Sequence, residues 1–454
     1  MLLERIKSEI VAQISYFIGS AGEALVVDPR RDCRVYIDIA RREGMTIKHV
    51  FETHRNEDYV IGSLELASLT GAEIYHGPWP EFEYGETLKD GEESDVGNLK
   101  VRAIHTPGHT PGCMSYAITD LDTGEQPVLV CTGDVLFINE VGRTDLGGPE
   151  RQREWSGNLY DSIFNRLLPL GDQVILCPAH GSGSICGSDI AEREQSTLGI
   201  ERLQNPLLQL PREKFIEHKT REHHEYPPYF RIMEGYNLRG APFVGCGPTP
   251  KPLSPDELLS EQDKDALLVD TSSPLAFSSA HVRKAYNIPK SHLSFAGWLL
   301  PYDKPVNLVV EDIADLEYVV NSLSRIGYDN VVGYLRGGMY PLVSSGHPYE
   351  LLPLLKASDL KAKIEYGEKL TLLDVRSLNE WNREHLTGAQ HIYVGHLLEQ
   401  LEKVSKKHPV ITICSTGKRA SIAASILQRC GWPDVLNLLG GMEAWEALKY
   451  PIER

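Results

Sequence analysis

Cys414 opens the loop Cys414-Ser-Thr-Gly-Lys-Arg419, between the apolar run Val410-Ile-Thr-Ile413 and a helix expected from about Arg419 to Cys430. A loop of this length can turn its backbone N–H groups towards one sulfur. The helix adds the positive end of its dipole, and Lys418 and Arg419 add cationic donors. All three effects lower a thiol pKa and stabilise a thiolate or its persulfide. The chemistry indicated is nucleophilic, with Cys414 attacking and Lys418 and Arg419 assisting. Far upstream stand residues of another kind. His54, Asn56, Asp58 and Tyr59 lie in Thr53-His-Arg-Asn-Glu-Asp-Tyr59; His109 lies in Thr106-Pro-Gly-His-Thr-Pro-Gly112; Asp134 ends Thr132-Gly-Asp134; His180 ends Pro178-Ala-His180. Imidazoles and carboxylates are metal donors, whereas the amide of Asn56 and the neutral phenol of Tyr59 are weak ones near pH 7.

These residues follow short β-rich runs. Ala24-Leu-Val-Val-Asp28, Val128-Leu-Val-Cys-Thr132 and Val174-Ile-Leu-Cys177 read as buried strands, each followed by a turn or loop. Loops at the ends of rigid strands are where sites are expected. Pro and Gly on both sides of His109 shape a tight loop that can aim an imidazole inwards. Residues 220–265 are rich in Pro and Gly and read as a linker, docked through the aromatic stretch Tyr226 to Arg231. Beyond it the chain repeats itself. Asp374 stands 104 residues after Asp270, His385 stands 104 after His281, and Gly440 stands 103 after Gly337. Each unit of about a hundred residues alternates strand and helix, a typical α/β domain.

The formal charge of −17 over 454 residues argues against a nucleic acid or an anionic membrane as partner. The N-terminal stretch mixes charge into a short apolar run, so neither a signal peptide nor a transit peptide is expected. No apolar run is long enough to span a membrane. The eight cysteines contain no CxxC pair and read as free thiols of a cytoplasmic, reducing compartment.

The order of His54, His109, Asp134 and His180, each in a Gly-rich setting, resembles the metallo-β-lactamase superfamily over about 230 residues. In that superfamily the first motif reads His-x-His-x-Asp-His, so Asn56 and Tyr59 replace two histidines. Two ions then look under-coordinated, but one ion on His54, His109 and Asp134 does not. Two imidazoles and a carboxylate with open positions are the facial triad of non-haem Fe(II) oxygenases. The resemblance is to the persulfide dioxygenase branch, relatives of glyoxalase II. It implies one Fe(II) per chain on His54, His109 and Asp134, and oxidation of a low-molecular-weight thiol persulfide by O2 to sulfite. Val141-Gly-Arg-Thr-Asp145 and Asn158-Leu-Tyr-Asp-Ser-Ile163 fit the same branch. Arg143 is accordingly the candidate substrate anchor, and a structural pair with Asp145 is its alternative. Asp58 and His180 are expected to hydrogen-bond to the ligands, and Tyr59 to pack.

The Cys414 loop, with Asp374 to Arg376 upstream and Gly440 to Trp445 downstream, resembles the rhodanese sulfurtransferases. Phosphatase Cys loops are one residue longer, so the four residues between Cys414 and Arg419 suit sulfur transfer better. In the first repeat, subtraction of 103 places Glu311 opposite Cys414. A carboxylate cannot carry a sulfane sulfur, and the unit is expected to be inactive. Cys246 is a candidate second redox thiol.

The whole chain resembles persulfide dioxygenase–rhodanese fusions. The expected fold is α/β: a metallo-β-lactamase αββα sandwich over residues 1–235, a linker and inactive rhodanese-homology domain over 236–350, and a catalytic rhodanese domain with a parallel sheet over 351–454. The expected partners are the persulfide, O2 and sulfite or thiosulfate, in a homo-oligomer. The rival readings are a Zn2+ thioester hydrolase of the glyoxalase II kind joined to a sulfurtransferase, and a sulfurtransferase with a silent front domain.

Overall fold

In the computed structural model, which describes every residue except Ser188 and Cys246, the N-terminal apolar runs become two sheets. Cys246, named above as a candidate thiol, thus lies outside the described residues. The first sheet runs in chain order through β1 (Leu2–Ser8), β2 (Gln13–Ser20), β3 (Glu23–Val27), β4 (Thr46–Phe51), β5 (Glu73–His76) and β6 (Glu86–Thr87). The second comprises β7 (Glu93–Val96), β8 (Leu99–His105), β9 (Met114–Asp120), β10 (Pro127–Gly133) and β11 (Ile175–Pro178), ordered β11-β10-β9-β8-β7.

Alternate side chains explain how the sheets stack. Tyr16, Ile18, Leu25, Val27 and Phe51 meet Val101, Met114, Tyr116 and Ile118 of the other sheet in one core. The intervening Phe17, Ala24 and Val26 pack outwards on Tyr36, Ile39 and Leu66, which belong to the helices Arg34–Glu43 and Ser63–Thr70. On the opposite side Ala117, Val130 and Leu176 pack on Leu159, Phe215 and Ile216 of the helices Pro149–Ser162 and Arg212–Lys219. Both strand faces are buried, so these strands read as nearly continuous apolar runs. The result is the expected αββα sandwich.

The compact unit containing this sandwich comprises Met1–Gly245 together with Arg325–Gly327. Part of the stretch read as linker is therefore structured: Phe230–Arg239 is a helix that buries Phe230 and Met233. The Pro-Gly punctuation marks the ends of that helix, which a composition-based reading merged into one loop.

The second unit contains two parallel sheets of five strands. One comprises β12 (Lys251–Leu253), β13 (Leu267–Asp270), β14 (Tyr286–Asn287), β15 (Val306–Val309) and β16 (Val331–Leu335), ordered β12-β16-β15-β13-β14. The other comprises β17 (Leu354–Leu355), β18 (Thr371–Asp374), β19 (Gln390–His391), β20 (Val410–Ile413) and β21 (Val435–Leu438), in the same order, β17-β21-β20-β18-β19. Asp270 lies opposite Val309 as Asp374 lies opposite Ile413. The register corrects one expectation. Up to this point the offset is 104, so Val310, not Glu311, occupies the position of Cys414. A bulge between Val306 and Asn307 in the pairing of β15 with β16 shifts the later offset to 103. The subtraction used a spacing taken from beyond the bulge. Val310 carries sulfur no better than Glu311, so the repeat still lacks a nucleophile there.

Candidate functional sites

The histidines and aspartates of the first unit come from strand ends. Thr53 follows β4, and both its N–H and its hydroxyl donate to Asp28 at the end of β3, at 2.8 and 2.7 Å. With that hydroxyl proton committed, His54 Nδ1 donates to Thr53 Oγ1 at 2.9 Å and its Nε2 faces inwards. His109, in the β8–β9 loop, donates from Nδ1 to the Arg143 carbonyl at 3.0 Å, which leaves its Nε2 bare as well. A partner on the far nitrogen is how proteins fix the tautomer of a metal-binding imidazole. Asp134 follows β10 through Gly133, whose φ of 56° needs a glycine and where a Cβ would stand 2.6 Å from Thr53 Oγ1. His180 follows β11.

These groups converge. His109 Nε2 lies 3.6 Å and His54 Nε2 lies 3.9 Å from Asp134 Oδ2. The two imidazole rings meet edge to face at 5.1 Å. Glu57 joins them, with Oε1 3.2 Å from His109 Nε2 and Oε2 4.0 Å from His54 Nε2. Although all four residues are buried, His54 Nε2, His109 Nε2, Asp134 Oδ2 and Glu57 Oε2 make no aligned hydrogen bond. Buried polar atoms are rarely left so, and donors aimed at a common point rather than at each other have this geometry. The set suits a metal ion. Burial pushes the His54 imidazole down to about 4, the neutral form that a ligand needs. Burial would raise the Asp134 carboxyl, but His180, His54 and His109 hold it well below the carboxylate range.

The remaining residues of the motif turn elsewhere. Asn56 Nδ2 donates to the His54 carbonyl at 3.2 Å. Tyr59 is buried, its ring edge-on to His180 at 6.1 Å. Asn237, on the helix at 230–239, donates to the carbonyls of Asn56 and Tyr59, both at 2.7 Å, and so clamps the motif loop. His180 donates to Asp134 Oδ1 at 2.7 Å and lies 3.0 Å from Asp58 Oδ2. The Arg143 guanidinium pairs bidentately with Asp145, at 2.7 Å for both contacts, and its Nη1 reaches the carbonyls of Glu225 and Ile185 at 3.1 and 3.4 Å. The pair with Asp145 that the alternative named is thus formed. The guanidinium, expected to anchor substrate, is engaged by the protein itself.

Two residues here escaped the sequence reading. Glu57 sits between Asn56 and Asp58, and nothing in the spacing says that it points inwards. Cys186 lies six residues beyond His180 in a Gly- and Ser-rich loop. Its Sγ comes within 3.6 Å of Glu57 Oε1.

In the second unit Cys414 follows β20 and is buried. The Gly417 N–H points at its Sγ from 3.1 Å, a turn made possible by the φ of 94° at Gly417. Met442 and Glu443 N–H groups hold the Cys414 and Ser415 carbonyls at 2.8 and 3.0 Å. Arg419 grips Glu380 at 2.6 and 2.7 Å and Ser415 Oγ at 2.8 Å. Lys418 lines a cleft of about 900 Å³ with Lys290, Glu311, Asp312 and Asp315 of the first repeat. Arg419 thus stays with the Cys414 loop through Ser415, while Lys418 lines the cleft of the neighbouring repeat. The seven cysteines among the described residues are all unpaired. No helix among those residues is long and apolar enough to cross a membrane.

Comparison with known proteins follows the same division. Residues 11–180 match the Metallo-beta-lactamase superfamily, and residues 254–344 and 356–448 each match the Rhodanese-like domain. An uncharacterized protein of Mycobacterium leprae is 30% identical over 215 residues, 41% of this chain and 88% of that protein. The protein named persulfide dioxygenase ETHE1, mitochondrial, of Homo sapiens is 26% identical over 225 residues, 48% of this chain and 80% of that protein. Among solved structures, a metallo-beta-lactamase from Staphylococcus aureus subsp. aureus COL superposes with a TM-score of 0.66 at 29% identity, covering 74% of this chain and 99% of its own.

Proposed function

From a chain that belongs to the metallo-β-lactamase superfamily by its N-terminal domain and carries two rhodanese-like domains, we propose that the protein oxidises low-molecular-weight persulfides at one ferrous ion and transfers sulfane sulfur at Cys414. The observation that carries this reading is the buried, unpaired set His54 Nε2, His109 Nε2 and Asp134 Oδ2, with Asn56 turned away to the backbone. Two imidazoles and a carboxylate are the donors of oxygen-activating Fe(II) sites. The kinship with a protein named persulfide dioxygenase supports the same chemistry.

When bound, Fe(II) supplies the place where a persulfide sulfur and O2 meet. The protein's own groups do the rest. Thr53 and the Arg143 carbonyl orient the two imidazoles, and His180 orients Asp134. The overall change is RSSH + O2 + H2O → RSH + sulfite + 2 H⁺, in which the terminal sulfur is oxidised and O2 reduced. At the other site the Cys414 thiolate attacks the outer sulfur of a persulfide, and the thiol RSH leaves. Sulfite then takes that sulfur as thiosulfate and regenerates the thiolate. Gly417 N–H and the N-terminal end of the helix Lys418–Arg429 stabilise the charge on sulfur. Covalent fusion raises the effective concentration of a shared intermediate. Unpaired thiols fit a reducing, cytoplasmic setting.

The test is an oxygen electrode with the iron-loaded full chain and the persulfides of glutathione and of coenzyme A. Stoichiometric, persulfide-dependent O2 uptake with release of sulfite is expected, and its loss in His109→Ala. A protein that hydrolyses thioesters with Zn2+ and takes up no O2 would overturn the reading.

A further inference from the structure

We propose that Glu57 is a fourth protein ligand to the ion that His54, His109 and Asp134 would hold, in place of Asn56. Each of these four residues is gripped at one atom and bare at another. His54 is held at Nδ1 by Thr53, His109 at Nδ1 by the Arg143 carbonyl, and Asp134 at Oδ1 by His180. Glu57 is held in the same manner, for the Cys186 S–H donates to its Oε1 at 3.6 Å. What remains is His54 Nε2, His109 Nε2, Asp134 Oδ2 and Glu57 Oε2, all buried and all without a hydrogen-bond partner. The ligating atoms of His54, Glu57 and His109 lie within 4.8 Å of one another. Asn56, by contrast, spends its amide on the His54 carbonyl. The donor missing at Asn56 is regained one residue along the same loop.

The protons point the same way. Each imidazole spends its proton at Nδ1, so its Nε2 presents a lone pair. Glu57 Oε1 stands 3.2 Å from Nε2 of His109, and Oε2 stands 4.0 Å from Nε2 of His54. Acceptor facing acceptor in a buried site is unfavourable, and a cation between them removes the conflict. The fourth donor also selects the ion. Four ligands close a tetrahedral Zn2+ site and leave no position for water or substrate. On an octahedral ion they leave two positions, one for a persulfide sulfur and one for O2. A second carboxylate shifts preference towards Mn2+ and Fe2+, and with Asp134 it neutralises a divalent charge.

The inference rests on the metal reading of His54, His109 and Asp134, and its test needs no persulfide. Equilibrium binding of Mn2+ to the metal-free full chain is read by the electron paramagnetic resonance of the free ion, beside the visible bands of bound Co2+. Glu57→Gln should weaken Mn2+ binding by ~100-fold or more, beyond the cost of losing an outer hydrogen-bond partner of a ligand, and should shift the Co2+ bands. In Glu57→Ala, formate should enter the space left and return most of the affinity and the original bands. Unchanged Mn2+ binding in Glu57→Gln, or a loss that formate does not repair in Glu57→Ala, overturns the assignment. His109→Ala, titrated beside them, separates the two readings. Ion binding that survives in His109→Ala strikes the metal reading itself, whereas binding lost there and kept in Glu57→Gln strikes Glu57 alone.

Discussion

The two rhodanese-like repeats share a strand order and a helix cap, yet only one places a cysteine after its central strand, Cys414 after β20 where Val310 follows β15. Ser273 caps its helix by accepting from Ala276 N–H at 3.3 Å, and Ser377 accepts from Glu380 N–H at the same 3.3 Å. The cap is common to both; the residue it presents is not. Glu380 reaches out to Arg419 and Ser415, while Ala276 has nothing to reach with. At the position of Cys414 stands Val310, and at that of Gly417 stands Ile313, which cannot take up the same turn without strain. The sheet is therefore indifferent to chemistry. A handful of loop residues distinguishes the two repeats.

The largest effect should come from removing the nucleophile. Cys414→Ala is expected to lower sulfur transfer from thiosulfate or a persulfide by ~10³-fold or more, with O2 uptake unchanged. Adding Val310→Cys to that variant should restore none of it, since the first repeat lacks the Gly417 turn and the Arg419–Glu380 pair. Recovery of transfer would show that position alone suffices and would erase the distinction between the repeats.

A smaller effect joins them. Asn287, in β14 of the silent repeat, donates to the carbonyls of Asp270 and Ser272 at 3.1 and 3.0 Å and accepts from Ser421 on the helix behind Cys414 at 2.6 Å. Its Oδ1, Nδ2 and neighbours are buried, so Asn287→Ala should cost about 1–3 kcal/mol. Denaturant unfolding should show that loss, with slower sulfur transfer at unchanged O2 uptake. No change in either would mean that the silent repeat does not support its neighbour.

The smallest effect is on acid stability. Burial raises the Glu380 carboxyl, but Arg419, Ser415 and Ser377 outweigh it and hold the group at about 2. A depressed carboxyl contributes stability above its unfolded value, about 4.3, and loses it as pH falls from there through the folded value. Wild type should therefore lose a little stability between about pH 4.5 and 2 that Glu380→Gln lacks from the start. Parallel acid curves for the two proteins would count against the pair.

What could be read beforehand divides along similar lines. The Cys414 loop is one continuous segment, so its residues and their chemistry are legible in order. His54, His109 and Asp134 are far apart in sequence, but each sits in a Gly- or Pro-marked turn after a strand. Glu57 has no such mark, because the direction of a side chain in a tight loop depends on what the loop packs against. Cys186 is brought in by tertiary folding alone. Arg143 stood in a short motif, and its partner Asp145 was visible two residues on, but the carbonyls that complete its shell belong to distant loops. The helix Phe230–Arg239 lay hidden by the prolines and glycines around it, although its Asn237 fastens the metal-motif loop.

A repeat without a cysteine at the position of Cys414 can still matter through what it touches. Here the edge of the silent sheet buttresses the helix on which Cys414 depends. Substitutions in the loop after β15 leave the Asn287–Ser421 contact in place, whereas those that loosen β14 remove a support of the helix behind Cys414.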